Sequence, residues 1–390
     1  MPPGRGHRRP RNFEAFLFPL SGVVAGVLAF AVLSVVWPSQ VPVRESRGQS
    51  GLVSPLPLQP RPYRSTAVDD VRVAGGSGAV TVSWAAPPDA RDVSFEVTAV
   101  PEDRGLKASR CSTRALSCVV KGLTNGAGYT IEVRVRSTDG AMSAPQRAHM
   151  VPRPDILTSK TSVLWLDADD VATVVSSSPG GPVSQWRDKS GRGNSAAQPT
   201  AATRPSTGIT GKRRALKFNG TQGMIVDGRR LPSESTPSLV LVAARLDDPL
   251  AASSCFAHVL AWGSGEPGAA RIIHKGCGEA SAYGETYGTY TAMKPRKAWP
   301  VGRMALLSVE FTKSRVDVRM NGAPDYSWTA PADLQTRTLP QPDARIGSAA
   351  WAPNAGWKGL IGEVIILAGN VDPADRDQVE RYLIRKWSIS

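Results

Sequence analysis

Apolar and polar residues alternate with a period of two through much of the chain beyond residue 67, and clusters of Gly, Pro, Asn and Asp interrupt the alternation. Between 67 and 152 the alternating runs are VRV (71–73), VTVSW (80–84), SFEVTAV (94–100), CVV (118–120) and YTIEVRVRS (129–137). The turn clusters GGSG, APPDA and TNGAG separate them. Short strands at this spacing predict a small β-sandwich. From 155 onward the strand-like runs are SVLWLDA (162–168), ALKFNG (215–220), SLVLVAARL (238–246), MALLSVEF (304–311), RVDVRMNG (315–322) and GLIGEVIIL (359–367). Asn321-Gly322 predicts a tight turn. The pattern then changes period. Asp372 is placed to cap, Pro373 fits a first helical position, and Val379, Tyr382, Leu383 and Trp387 recur at helical spacing. One short amphipathic helix is therefore expected to close a two-sheet sandwich, and the fold class expected is all-β.

A different pattern precedes these domains. Phe16 to Trp37 is a run of 22 residues without a charge, long enough to span a hydrocarbon core of roughly 30 Å. Pro19 lies in its first turn, where a missing N–H costs least. Arg5, Arg8, Arg9 and Arg11 precede the run, so a basic tail (1–12) is expected in the cytoplasm and everything after a transmembrane helix (13–37) outside. A cleaved signal peptide is the rival reading. Its apolar region would normally be shorter and end at a small-x-small site, which VVWPSQVPV does not supply. Six prolines in residues 38–66 predict an extended, Pro-rich linker or stalk.

Length and charge refine this outline. A chain of 390 residues and 41.4 kDa suits two or three domains, and 41% apolar with 21% charged residues excludes disorder throughout and a polytopic membrane protein. The net charge of +14 raises a nucleic-acid reading until it is located. Residues 1–37 carry four Arg and one Glu, and 38–67 again four Arg and one Glu. Residues 68–154 hold 11 basic and 9 acidic groups, and 155–390 hold 28 and 22. The excess thus flanks the apolar run and sets topology, and no nucleic-acid partner is expected.

Two family resemblances follow from particular residues. Trp84 within VTVSWAAPPD, and GLTNGAGYTIEVRVRSTDGAMS with Tyr129 at a tyrosine-corner position, resemble a fibronectin type III domain over 67–152. LWLDADD (164–170), SQWRDKSGRGNSA (184–196), LKFNGTQGMIV (216–226), MNGAP (320–324), ARIGSA (344–349), WKGLIGEVIIL (357–367) and the ending DRDQVERYLIRKWSI resemble the bacterial LamG-like (concanavalin A-like lectin/glucanase) jelly rolls over 155–390. That resemblance implies a surface domain for binding glycans or proteins, in some members with calcium. Fold alone does not decide function.

The candidate chemistry is sparse. A retaining glycosidase needs two carboxyls roughly 5–5.5 Å apart, and no matching strand pattern of acids occurs; Glu310 and Glu363 stand singly among apolar neighbours, with Glu363 read as a satisfied structural carboxylate. Asp167, Asp169 and Asp170 are the weak calcium candidates, with hydrogen bonding of a turn as the alternative. No other cofactor is expected. Cys111 and Cys118 are close enough for a hairpin disulfide. Cys255 and Cys277 suit a second disulfide, while Cys255-x2-His258 and His274-x2-Cys277 also have zinc-site spacing. GSGEPG (263–268) matches GxGxxG by letters but is expected to open no helix. Tyr283, Tyr287, Tyr290 and Trp299 are the candidate ring faces for a glycan, with Lys294, Arg296 and Lys297 adding attraction for anions. With no triad or P-loop, an enzyme is not the expectation. The functional expectation is a single-pass adhesion protein of the cell membrane, its outer domains extracellular, with cell-envelope polysaccharide or a surface protein as partner. The alternatives are a glycan-active hydrolase and a non-catalytic structural subunit of an envelope assembly or appendage.

Overall fold

The computed structural model describes residues 66–390 apart from 89–91, 248–255, 277–282, 287–294, 333 and 335–336. The expected membrane helix (13–37) and linker (38–66) therefore lie outside the described residues, save Thr66. Among the described residues no helix is long and apolar enough to cross a membrane.

The first domain contains β1 (Asp69–Gly76), β2 (Ala79–Ala85), β3 (Ser94–Pro101), β4 (Ser109–Thr113), β5 (Ser117–Lys121), β6 (Tyr129–Arg136) and β7 (Gln146–Met150). They form two antiparallel sheets, β1-β2-β5 and β4-β3-β6-β7. Alternation is the cause: Val80, Val82 and Trp84 of β2 face Phe95, Val97 and Ala99 of β3 and Ile131, Val133 and Val135 of β6 across one core. The Tyr129 hydroxyl accepts from the Thr124 N–H at 3.0 Å, closing the tyrosine corner. Cys111 of β4 and Cys118 of β5 form a disulfide.

Among its described residues the second domain has sixteen strands and one α-helix. In chain order they are β8 (Ser162–Asp167), β9 (Val174–Ser176), β10 (Val183–Trp186), β11 (Ala196–Ala197), β12 (Ser206–Thr210), β13 (Arg213–Asn219), β14 (Met224–Asp227) and β15 (Ser238–Leu246). Then follow β16 (Ala257–Gly263), β17 (Ala270–Lys275), β18 (Tyr283–Thr286), β19 (Met304–Phe311), β20 (Arg315–Met320), β21 (Ala323–Thr329), β22 (Asp343–Ile346), β23 (Lys358–Ala368) and α1 (Pro373–Lys386). One sheet runs β12-β13-β23-β15-β19-β20-β21, with β8 also on β23; the other runs β18-β17-β16-β22-β14-β11-β10-β9. GSGEPG joins β16 to β17 and opens no helix.

The strands β15, β19 and β23 read as continuous apolar runs because both faces are covered. Val240, Val242, Leu307, Val309, Val364 and Ile366 face the inter-sheet core. Leu239, Leu241, Leu306, Ile365 and Leu367 instead meet Val379, Tyr382, Leu383 and Trp387 of α1 on the outer face. The helix starts as its sequence requires: Asp372 accepts from Ala374 N–H at 2.7 Å and Pro373 occupies the first turn. A bulge at Gly362 resets the side-chain parity of β23, so that Ile361 and Val364 both point inward and Glu363 points toward the helix. A Cβ at Gly362 would sit 2.6 Å from the Trp387 ring, so only glycine lets the helix approach.

Candidate functional site

Beneath α1 the acids and bases of the sequence motifs converge. Lys386 Nζ lies 2.6 Å from Asp167 Oδ1, 2.8 Å from Glu363 Oε2 and 3.1 Å from the Tyr382 hydroxyl. Glu363 also accepts from Trp165 Nε1 (2.7 Å), the Tyr382 hydroxyl (3.0 Å) and Trp387 Nε1 (3.0 Å). Lys189 Nζ bridges Asp167 (2.9 Å) and Asp170 (2.7 Å) and lies 4.6 Å from the Trp165 ring centre. The turn of SQWRDKSGRGN delivers that lysine. Asp188 accepts from the main-chain N–H groups of Trp165, Ser190 and Asn194, folding the segment back onto β8. Burial alone would raise the Asp167 carboxyl, but Lys386 and Lys189 hold it well below the usual carboxylate range. Burial raises Glu363 against the pull of Lys386, and the two carboxylates lift the lysine well above its ordinary value despite burial.

This network settles what Glu363 does: it is fully buried and satisfied by four donors, as a structural carboxylate should be. It also bears on the calcium candidates. Asp167 and Asp170 hold Lys189, and Asp169 holds Arg213 at 2.9 Å, so cations of the chain already occupy these carboxylates. Among the described residues no group of three ligating side chains could hold a metal ion.

The predicted aromatic cluster is only partly within view. Tyr287, Tyr290, Cys255 and Cys277 lie outside the described residues. Tyr283 belongs to β18, opposite His274 of β17. Trp299 does not lie at the surface: it is 3% exposed and packs edge-to-face on Trp357 at 4.9 Å, so neither ring face is open for stacking. Sequence reasoning paired His258 and His274 with the two cysteines and missed Glu285 beside them. His258 and His274 stack at 5.3 Å, and His274 Nε2 lies 3.6 Å from Glu285 Oε1. Burial pushes the Glu285 carboxyl up to about 8, and burial with His258 alongside holds His274 well below its usual value. At neutral pH the contact is therefore between two neutral groups rather than an ion pair. The sequence signal for Glu285 was a lone Glu in a Gly-Tyr-rich stretch.

Open space adjoins the Asp167–Lys386 network where the two sandwiches meet. Both belong to one compact unit. Ser77 N–H donates to Asp155 (3.0 Å) and Arg385 to the Asn125 carbonyl (3.3 Å). The TNGAG turn rests on α1, and at Gly126 (φ +83°) a Cβ would overlap the Tyr382 carbonyl. A cleft of about 570 Å³ opens on one side of this junction, between Val73, Gly75 and His149 of the first domain and Trp165, Lys189 and Arg214 of the second. A second, of about 510 Å³, opens between Glu102, Asp103 and Gly128 and Lys212, Arg303 and Arg385. Each draws residues from many segments, which no local motif displays.

Comparison with known proteins adds the following. Residues 66–149 match the fibronectin type III domain family, so the chain carries such a domain. No curated protein matches the chain. Among solved structures, domain 4 of AbnA, a GH43 extracellular arabinanase from Geobacillus stearothermophilus in complex with arabinotriose, aligns with 57% of this chain and 98% of its own, at 15% identity and TM-score 0.38. A GH54 α-L-arabinofuranosidase soaked with a cyclic sulfate inhibitor aligns with 58% of this chain and 59% of its own, at 11% identity and TM-score 0.40. The FN5 domain of Drosophila Lar aligns with 22% of this chain and 95% of its own, at 22% identity and TM-score 0.19.

Proposed function

We propose that this chain is a single-pass cell-surface binding protein whose LamG-like second domain, docked on the fibronectin type III domain, recognises envelope glycans or surface proteins. The observation that carries the reading is the pair of open clefts at the domain junction, each in the size range of small-ligand sites and walled by both domains. The buried acids nearby are engaged in ion pairs and hydrogen bonds that hold α1 on the sheet, which favours binding over acid–base chemistry. The charge-free run Phe16–Trp37 with arginines before it supports the anchor and an extracellular position for both domains. The test is binding of the purified full chain, in detergent, to a glycan array and to intact cells, with and without calcium. Saturable binding to envelope or to a glycan is expected. Absence of binding to every surface and glycan refutes the reading, and hydrolysis of any glycan replaces it with an enzymatic one.

A further inference from the structure

The charges at the domain junction distinguish one class of ligand. Some arginines of the chain are neutralised locally: Arg72 with Asp70, Arg229 with Asp227, and Arg345 with Asp343 pair at 2.7–2.8 Å, two residues apart. At the clefts some bases are also paired, Lys189 with Asp167 and Asp170, Lys386 with Asp167, and Arg213 with Asp169 and Glu102, and others are not. Arg153 and Arg214 line the first cleft and Lys212, Arg303 and Arg385 the second, and none of the five makes an ion pair among the described residues. Arg153 is the most telling. Its guanidinium lies 5.2 Å from the Trp165 ring centre and donates to Thr158 Oγ1 at 3.1 Å, with no carboxylate in contact. It is half-buried, and that burial lowers its pKa, a cost that an incoming anion would offset.

The two clefts are also linked. Arg213 and Arg214 are consecutive in β13, so their side chains leave on opposite faces. Arg214 lines the first cleft, and Arg213 lines the second while bridging Asp169 and Glu102. Basic groups thus line both sides of the junction, with Arg213 between them held by Asp169 and Glu102. Guanidinium groups with free donors match the planar oxygens of carboxylate and phosphate.

Resting on the binding role proposed above, we infer that the domain junction binds an anionic glycan, a saccharide chain carrying carboxylate or phosphate groups, with Arg153 and Arg214 as its main contacts. The test uses the full chain in detergent and four probes: oligogalacturonate, a phosphomannan, neutral dextran and a single-stranded oligodeoxynucleotide. One or both anionic saccharide probes are expected to bind, and which one does identifies the anion. Their affinity should fall about tenfold or more between about 0.05 and about 0.3 M salt. The pair R153Q/R214Q should cost about tenfold or more in affinity while lowering the unfolding temperature by no more than a few degrees, through the lost Arg153 contacts to Trp165 and Thr158. The pair K107Q/K121Q, on the first domain away from both clefts, should bind as wild type. Equal binding of dextran, indifference to salt, unchanged affinity in R153Q/R214Q, or tighter binding of the oligonucleotide each overturns the inference. Binding to intact envelope that survives both salt and R153Q/R214Q overturns it while leaving the broader binding role standing. No envelope binding at all overturns that role itself.

Discussion

Replacing Lys386 by Met tests whether the buried charge network holds the C-terminal helix in place. Lys386 is 3% exposed and touches both Asp167 and Glu363. Met preserves the length of the side chain and most of its packing, so the loss is chiefly electrostatic. Asp167 retains Lys189 at 2.9 Å, whereas Glu363 keeps only neutral donors from Trp165, Tyr382 and Trp387. One buried carboxylate is thereby stripped of its counter-charge, a change that typically costs about 3–5 kcal/mol. For a domain of this size, this is roughly 6–20 °C in unfolding temperature. Glu363→Gln should cost less, about 1–3 kcal/mol, because Lys386 keeps Asp167. In Glu363→Gln/Lys386→Met no charge is left uncompensated, and the double variant should recover about 1 kcal/mol or more relative to Lys386→Met. Chemical denaturation of the three variants at neutral pH measures this. A Lys386→Met variant within about 1 kcal/mol of wild type, or a double variant no better than the single one, refutes the reasoning.

The remaining predictions address other parts of the molecule. Burial raises Glu285 to about 8, so its contribution is fully present below the unfolded carboxyl value near 4.5 and is lost as pH rises toward 8. Glu285→Gln should therefore raise stability at pH about 8.5 by up to a few kcal/mol and flatten the profile between about 4.5 and 8; an unchanged thermal-unfolding profile contradicts this. Gly126→Ala should loosen the junction, because its Cβ would overlap the Tyr382 carbonyl; calorimetry should resolve two transitions where wild type shows one, and a single unshifted transition contradicts it. Cys111 and Cys118 are seven positions apart, so reducing their bond should cost the first domain about 2 kcal/mol, read from denaturation with and without reductant. The proposed Cys255–Cys277 disulfide predicts no free thiols in the oxidised chain; titratable thiols or stoichiometric zinc would count against it.

The fold was legible where the physics is local. Period-two alternation located the strands of the first domain's core, Asn321-Gly322 marks the turn between β20 and β21, and Asp372-Pro373 marks the start of α1. Short strands such as β9, β11, β14 and β22 were not legible, because two to four residues carry too little periodicity. The buried network was visible only as motifs. LWLDADD, WRDKS, GLIGEVIIL and YLIRKW look unrelated in sequence, yet Asp167 and Lys386 meet across 219 positions. Glu363 was legible as structural because a lone acid within an apolar run must be satisfied to be buried. The junction clefts were not legible at all. Their walls come from loops and strand ends of two domains, and the pairing state of an arginine is a property of the folded surface.

The central claim is that the domain junction binds a surface glycan. The most direct measurement compares wild type and R153Q/R214Q, as full-length chains, for binding to intact cells across a salt series. The account predicts saturable wild-type binding that weakens with salt and is lost in R153Q/R214Q. Equal binding by both proteins at every salt concentration would contradict it.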